Sequence, residues 1–336
     1  LHYSNTFKLS IREHDFKDFM NSLPASKSYL RPMPYTAPAH PVKPSLPSAQ
    51  GGDRAPINYA QSDHSQTTDK ISWVSIGFFG VIHALALLAP WFFSWPAVGV
   101  AILLHWLSGS VGICLGYHRL LSHRSFRVPQ WLEYIVATIG ALALQGGPTF
   151  WVAGHRQHHA FTEHTEKDPY SSVKGFWWSH MVWMFYLKPE VFDRKVYAQY
   201  APDIARDRYY AFLDRYFLLL QVPLALALYA LGGWSFVVYG VFVRAVALWH
   251  CTWLINSVNH MIGYRNFDGD DNSRNLWWVA ILTYGEGWHN NHHAFPKMAK
   301  AGLKPWEIDT TWWLIKALQS VGLATKVVMP PAKARI

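Results

Sequence analysis

Four long apolar runs, arranged as two pairs, constrain this chain more than any other feature of its sequence. Residues 71–93 and 95–117 are each long enough to cross a hydrocarbon core of about 30 Å, which takes ~20 helical residues. The break between them is confined to residues 94–96, which predicts a tight hairpin. Residues 216–231 and 234–262 form the second pair, turned at Gly232 and Gly233. The first of these is short, and Pro223 within it is expected to kink the helix. Charged residues make up only 15% of the 336 residues, against roughly 25% in soluble domains. Lipid, not water, is the expected solvent for the middle of this chain.

The net charge of +9 could serve nucleic acid, anionic lipid or an acidic protein. No basic run resembles a nucleic-acid arm, so no nucleic-acid partner is expected. The distribution gives orientation instead. Eight Lys and Arg precede residue 71, twelve lie between residues 118 and 215, and nine follow residue 262. Neither hairpin tip carries any, and Arg244 lies inside the fourth run. The positive-inside rule then places both termini and the long middle segment in the cytoplasm. Residues 131–144 and 175–187 read as interfacial helices, the second equally as a buried helix of the cytoplasmic part. Residues 1–70, rich in Pro, Ser and Ala, are expected to be disordered. No cleavable secretory signal is expected, because the first apolar run begins near Ile71. The membrane domain is expected over 71–330, with a short tail at 331–336. Cys114 and Cys251 both sit in apolar runs and read as small core residues.

Histidine is abundant, with 18 in the chain, and eight fall into three tight clusters. HRLLSH holds His118 and His123 where the second run ends. A spacing of five does not align on a regular helix face, so the helix must end or loosen there. HRQHH holds His155, His158 and His159, and HNNHH holds His289, His292 and His293. Positions i, i+3 and i+4 share a helix face, so each triplet can ligate one metal or two neighbouring ones. His260, just past the fourth run, is the ninth, and Asn256 four residues before it could hold a metal-bound water. Isolated membrane histidines such as His83, His105 and His250 read as packed or hydrogen-bonded core residues.

Imidazole suits zinc, copper, iron and nickel. Structural zinc takes four ligands, usually with thiolate, and neither cysteine is placed for it. Nine imidazoles are too many for one ion and suit two. Carboxylate-bridged di-iron bundles need two Glu-x-x-His motifs, and Glu286 to His289 is the only one here. Glu286 therefore reads as a partner that orients an imidazole, with Asp168 and Glu163 serving likewise. The expected fold class is an all-α integral membrane protein. Four transmembrane helices in two hairpins would carry a cytoplasmic helical cap with a histidine-ligated di-metal site.

The segments GYHRLLSHRSF, GHRQHHAFTEHTEKDPYS and GEGWHNNHHAFP resemble the three histidine boxes of membrane fatty-acid desaturases, in the stearoyl-type Δ9 branch. The resemblance runs from about Ile71 to Met329 and includes NSVNHMIGYR. It implies O2-dependent desaturation of a saturated acyl chain by two irons. The implied ligands are His118, His123, His155, His158, His159, His260, His289, His292 and His293, with Asn256 acting through water. It also implies a bent acyl tunnel with Gln145, Trp151 and Thr252 at its kink and Trp253 beside it.

Relatives that take acyl-CoA carry an Arg-Asp pair before the second box, where this chain has Ala153 and Gly154. Gly146 and Leu187 likewise stand in place of polar and basic residues, and only Lys188 remains. The resemblance is thus to cyanobacterial and plastid acyl-lipid desaturases, whose substrates are esterified to glycerolipids. In a phototroph the membrane would be thylakoid or plasma membrane. The chain has no Cys motif for an iron–sulfur cluster and no His-Pro-Gly-Gly haem motif of a fused cytochrome b5. Ferredoxin is the implied electron donor, with cytochrome b5 as the alternative. Arg206, Arg208, Lys297, Lys300 and Lys304 could receive such an acidic protein or anionic lipid. The competing readings are an acyl-CoA desaturase, a lipid or alkane hydroxylase on the same scaffold, and a metal-handling membrane protein.

Overall fold

The computed structural model describes residues 70–186 and 193–334. Leu187, Lys188 and the segment expected to be disordered before Lys70 lie outside them. The described chain is mostly helical, and its only β pairing is a few isolated bridges.

Helix α1, Trp73–Ala86, starts where the Ser72 hydroxyl accepts the Ser75 N–H, a cap that satisfies an otherwise orphaned donor. The expected first span runs on to residue 93, but the helix stops at Ala86 after 14 residues. That is about 21 Å at 1.5 Å per residue. Pro90 cannot continue the hydrogen-bond ladder, and Ala89–Phe92 form a 3-10 turn. The connection is therefore longer than the break expected at 94–96. Ser94 caps the next helix by accepting the Ala97 N–H. That helix, α2, runs over Trp95–Ser122 for 28 residues.

From Leu107 to Ser122 α2 is wound as a π-helix. Helix α3, Gln130–Ala141, buries Val136, Ala137, Gly140 and Ala141 and packs on this segment. The approach is set by two glycines: a Cβ on Gly112 would lie 2.6 Å from the Gly140 backbone nitrogen. Only hydrogen fits there. Trp131 and Ile135 remain on the outer face of α3.

Helix α4, Pro148–Phe161, follows a sharp turn, and Asp214 Oδ1 accepts the Thr149 N–H at its start. Residues 175–187 do not form the single helix expected of them. A five-residue helix α5, Phe176–His180, breaks at Met181 (φ −150°), and a 3-10 turn Val182–Phe185 follows. The break comes directly after His180, whose ring is bonded to other elements on both sides. Helix α6, Arg208–Tyr216, is capped by Asp207 and takes up the residue at which the third apolar span was expected to begin.

The 40 residues Gln221–His260 are helical except at Gly232 and Gly233, where Gly233 adopts φ 62°. Leu228 packs on Val237 and Val241. Residues 13 apart in a continuous helix, as Leu228 and Val241 are, would be about 20 Å apart, so α7 (221–231) and α8 (234–260) are antiparallel arms of a hairpin. Pro223 produces no kink: it lies in the first turn of α7, and the non-helical dihedrals are confined to the two glycines. Short helices α9 (Trp277–Leu282) and α10 (His289–Ala294) precede α11 (Thr310–Ser320).

Two of these helical stretches, Trp95–Ser122 and Gln221–His260, are long and apolar enough to cross a membrane. Their outward faces, with that of α1, leave large apolar side chains bare, Val74 at 85% exposure and Leu226 at 66%. Behind them a row of imidazoles ties α1 to α8 and α5. His83 Nδ1 meets the Phe79 carbonyl at 2.7 Å, and its Nε2 meets His250 Nε2 at 3.2 Å. His250 Nδ1 then meets His180 Nε2, and His180 Nδ1 meets the Ser257 hydroxyl, each at 3.0 Å.

Candidate metal centre

The winding of α2 places the first two imidazoles. The His123 N–H donates to the His118 carbonyl at 3.1 Å, five residues back, so both rings point the same way, 4.9 Å apart. π-Bulges of this kind recur at functional sites.

The two HxxHH helices are used in opposite senses. α4 sends His155 and His159 to one group and His158 to another, while α10 sends His292 to the first group and His289 and His293 to the second. With His118 and His123 the first group has five imidazoles. The second has four, completed by His260 from the end of α8. All nine sequence-predicted histidines are brought into these two groups.

The donor set fits metal ions. Within each group the ligating atoms lie within 4.8 Å of one another. Ring nitrogens about 2.1 Å from a first-row ion, at right angles, would be about 3.0 Å apart. The facing Nε2 pairs are 2.7 Å (His123, His155), 2.9 Å (His159, His292), 3.1 Å (His118, His292) and 3.1 Å (His260, His289). Nε2 of His158 and of His293 is buried with no hydrogen-bond partner, which a bound cation would satisfy. Burial, then the neighbouring imidazoles, holds His123, His155, His159, His289 and His292 well below the ordinary histidine range. Burial also lowers His293 to about 4, against the upward pull of Asp271. These six rings are neutral at physiological pH, the form that binds metal.

Carboxylates stand behind four of the rings. Nδ1 of His118 lies 2.9 Å from Glu286, that of His158 3.0 Å from Asp168, and that of His260 3.2 Å from Glu163. The fourth, Asp271 at 3.0 Å from His293 Nδ1, was missed in the sequence because its loop lies 22 residues away. A carboxylate at Nδ1 favours the proton there and leaves Nε2 free to bind. Glu286 is held in turn by Arg119, which donates Nε to it at 3.0 Å and Nη1 to Asp309 at 2.9 Å. Burial pushes the Glu286 carboxyl up, but Arg119 and His118 outweigh it and hold it low. Asn290 and Asn291, between the histidines of α10, were also passed over. Asn291 Oδ1 accepts amide protons from Asn266 and Asn275, and its own amide donates to Glu307.

An apolar cavity of about 370 Å³ leads toward the five-histidine group, walled by Phe78, Phe79, Trp249 and Trp253. A smaller one of about 40 Å³ is lined by residues that include His118, His158, His289 and Tyr284. Trp151, His155, Thr252 and Asn256 border both. At this junction the Trp151 indole donates to Gln145 Oε1 (3.1 Å), and Gln145 Nε2 donates to the Thr252 hydroxyl (2.9 Å). Trp151 stacks on His155. Four residues singled out in the sequence, Gln145, Trp151, Thr252 and Trp253, thus line the larger apolar cavity.

Residues 72–318 match the sequence model of the fatty acid desaturase family. The chain belongs to this family. It is 67% identical to the sn-2 palmitoyl-lipid 9-desaturase of Nostoc sp. (strain 36) over 78% of this chain and 92% of that protein. It is 52% identical to the sn-1 stearoyl-lipid 9-desaturase of Anabaena variabilis, covering 80% and 98% of the two chains. It is also 52% identical to the sn-1 stearoyl-lipid 9-desaturase of Synechocystis sp., covering 78% and 82%.

This desaturase has few charges at its larger cavity. Among the described residues that line it there is no Lys or Arg, and Asp214 is the single carboxylate. Gly154 borders it, and a Cβ there would meet nothing within 4 Å.

Proposed function

We propose that this desaturase removes two hydrogens at the Δ9 position of a saturated acyl chain esterified to a membrane glycerolipid, using two irons held by the nine imidazoles. The observation that carries the reading is the convergence of those rings, in groups of five and four, beside an apolar cavity. The names of the Nostoc and Anabaena relatives support a lipid-linked chain and position 9. Among the described residues, the lack of Lys and Arg around the cavity disfavours a CoA headgroup.

What the bound metals supply is one-electron chemistry with O2, needed because no proton of a methylene pair is acidic. The protein's own residues position and exclude. Phe78, Phe79 and Trp249 strip water from the chain, and the Trp151–Gln145–Thr252 hydrogen bonds fix the bend. Trp151, stacked on His155, holds the bend against the five-histidine group. Asn256, facing both cavities, can hold a water beside the four-histidine group.

We place α1 with α2, and α7 with α8, in the bilayer as four crossings, with the histidines at the cytoplasmic surface. The bare apolar faces of α1, α2 and α7 support this, since large contiguous apolar surface marks a partner or a membrane. Tilting and local thinning accommodate the short α1. An acyl chain then enters without crossing water. Arg206, Arg208 and Lys297 are exposed and Lys300 and Lys304 partly so, and to these cations we assign the attraction of an acidic ferredoxin.

Expression in a host of defined lipids, with fatty acids analysed by lipid class and glycerol position, tests this. New double bonds should appear in glycerolipids first, and appearance in the acyl-CoA pool beforehand would overturn the substrate assignment. His158→Ala and His292→Ala should abolish product without preventing membrane insertion. A hydroxy acid in place of an alkene would overturn desaturation itself.

A further inference from the structure

The two histidine groups share a donor type but differ in the charges behind the rings. In the group of four, three of the four Nδ1 atoms face a carboxylate: Asp168 on His158, Glu163 on His260, Asp271 on His293. In the group of five, among the described residues, only His118 does, through Glu286, and Glu286 is paired with the buried Arg119 guanidinium. Asp309 lies on the far side of that guanidinium.

The three carboxylates of the smaller group are met by neutral donors. Asp168 accepts the backbone N–H groups of Glu163 and Tyr170, Glu163 accepts from Asn272, and Asp271 accepts from Ser273. Among the described residues no Lys or Arg forms an ion pair with any of them. Asp168 is wholly buried, while the side chains of Glu163 and Asp271 are 13% and 18% exposed. Water therefore screens part of this negative charge and leaves most of it.

A carboxylate on Nδ1–H makes the imidazole a stronger donor through Nε2, and its charge favours the higher oxidation state of a nearby cation. We propose that the two irons are electronically unequal, the ion in the four-histidine group being first to pass from ferrous to ferric, with Asp168, Glu163 and Asp271 as the positioning residues responsible. This rests on the di-iron reading above.

The test starts from anaerobic, fully ferrous protein loaded with Mössbauer-active iron and titrated with ferricyanide. Each iron oxidised gives one electron to one ferricyanide, which becomes ferrocyanide. One equivalent per chain should yield one ferric and one ferrous ion in distinct environments. Asp271→Asn keeps an acceptor on His293 and removes the charge. It should make the first oxidation about tenfold less favourable, about 59 mV for one electron, with two irons still bound. Glu286→Gln should move the second oxidation and leave the first in place.

A single oxidation wave, or a first wave moved by Glu286→Gln and not by Asp271→Asn, would overturn the inference. If Asp271→Asn loses iron, Glu163→Gln takes its place, and an unmoved first wave there is equally fatal. Fewer than two irons on the wild-type chain would instead overturn the di-iron reading itself.

Discussion

The amide of His123 reaches the carbonyl of His118, five residues back, at 3.1 Å. That one bond converts a spacing that a regular helix would splay apart into a pair of rings aimed at one point. The wider winding extends over Leu107–Ser122, against the close approach of Gly112 to Gly140. The first histidine pair and the α2–α3 contact are therefore one structural problem.

Gly112→Ala is expected to destabilise the protein by about 1–3 kcal/mol, the usual range for overpacking. The added carbon would press on the Gly140 backbone, which cannot move away as a side-chain tip would. Thermal unfolding in detergent should show a lowered midpoint with iron lost in parallel. An unchanged midpoint would mean the two helices have room to separate.

Arg119→Met leaves Glu286 and Asp309 as buried carboxylates without their cation. A loss of roughly 3–5 kcal/mol follows from breaking such a pair from one side. Arg124, whose side chain is 39% exposed and pairs with Glu133 and Asp203, provides the contrast. Arg124→Met should cost no more than about 1 kcal/mol. Comparable losses in the two variants, measured by denaturant unfolding, would refute the buried network's importance.

Thr252→Val preserves volume and deletes the hydroxyl that accepts from Gln145. The Trp151–Gln145–Thr252 hydrogen-bond chain beside His155 then loses a link. We expect about a tenfold slower reaction, equivalent to about 1.4 kcal/mol, and double bonds spread to neighbouring positions. Gas chromatography with mass spectrometry of the products decides it, since a single unshifted isomer at full rate contradicts the role given to this hydroxyl.

Stability of the metal-free protein should fall as pH falls from 6.5 toward 4. His293 is lowered to about 4 by burial, so between these values the unfolded chain binds a proton that the folded chain refuses. Stability is present above 6.5 and lost on the way down. The contribution is on the order of 1–3 kcal/mol per fully buried ring. His123, His155, His159, His289 and His292, also lowered by burial, act in the same direction. Melting curves between pH 4 and 7 that do not depend on pH would contradict this.

What was legible in the sequence was whatever a local period or spacing encodes. The i, i+3, i+4 pattern put His155, His158 and His159 on one helix, and Gly232–Gly233 marked the turn between α7 and α8. The boundary at Ala86 was not legible, because apolar composition continues through Pro90 and composition alone does not locate a helix end. Pro223 misled for a related reason: its effect depends on whether it lies in the first turn, which the apolar run does not reveal. Spacing showed that three rings could meet a metal but not that α4 and α10 divide theirs in opposite senses. Asp271 was invisible because its partner is brought to it only by the folded loop between α8 and α9.

The row of imidazoles joining α1 to α8 ends on a main-chain oxygen at each side, Phe79 at one end and Trp253, through Ser257, at the other. Such oxygens only accept. Five links thus join the row, and three uncharged rings with one hydroxyl supply four protons. An unbroken row would carry a positive charge. Burial, then His250, lowers His180 to about 4, so His180 does not supply that charge at neutral pH, and with all three rings uncharged one link stands open. Tautomer exchange would move the open link along the row, so the seam between α1 and the wall of the larger cavity is held by a fastening with one loose stitch.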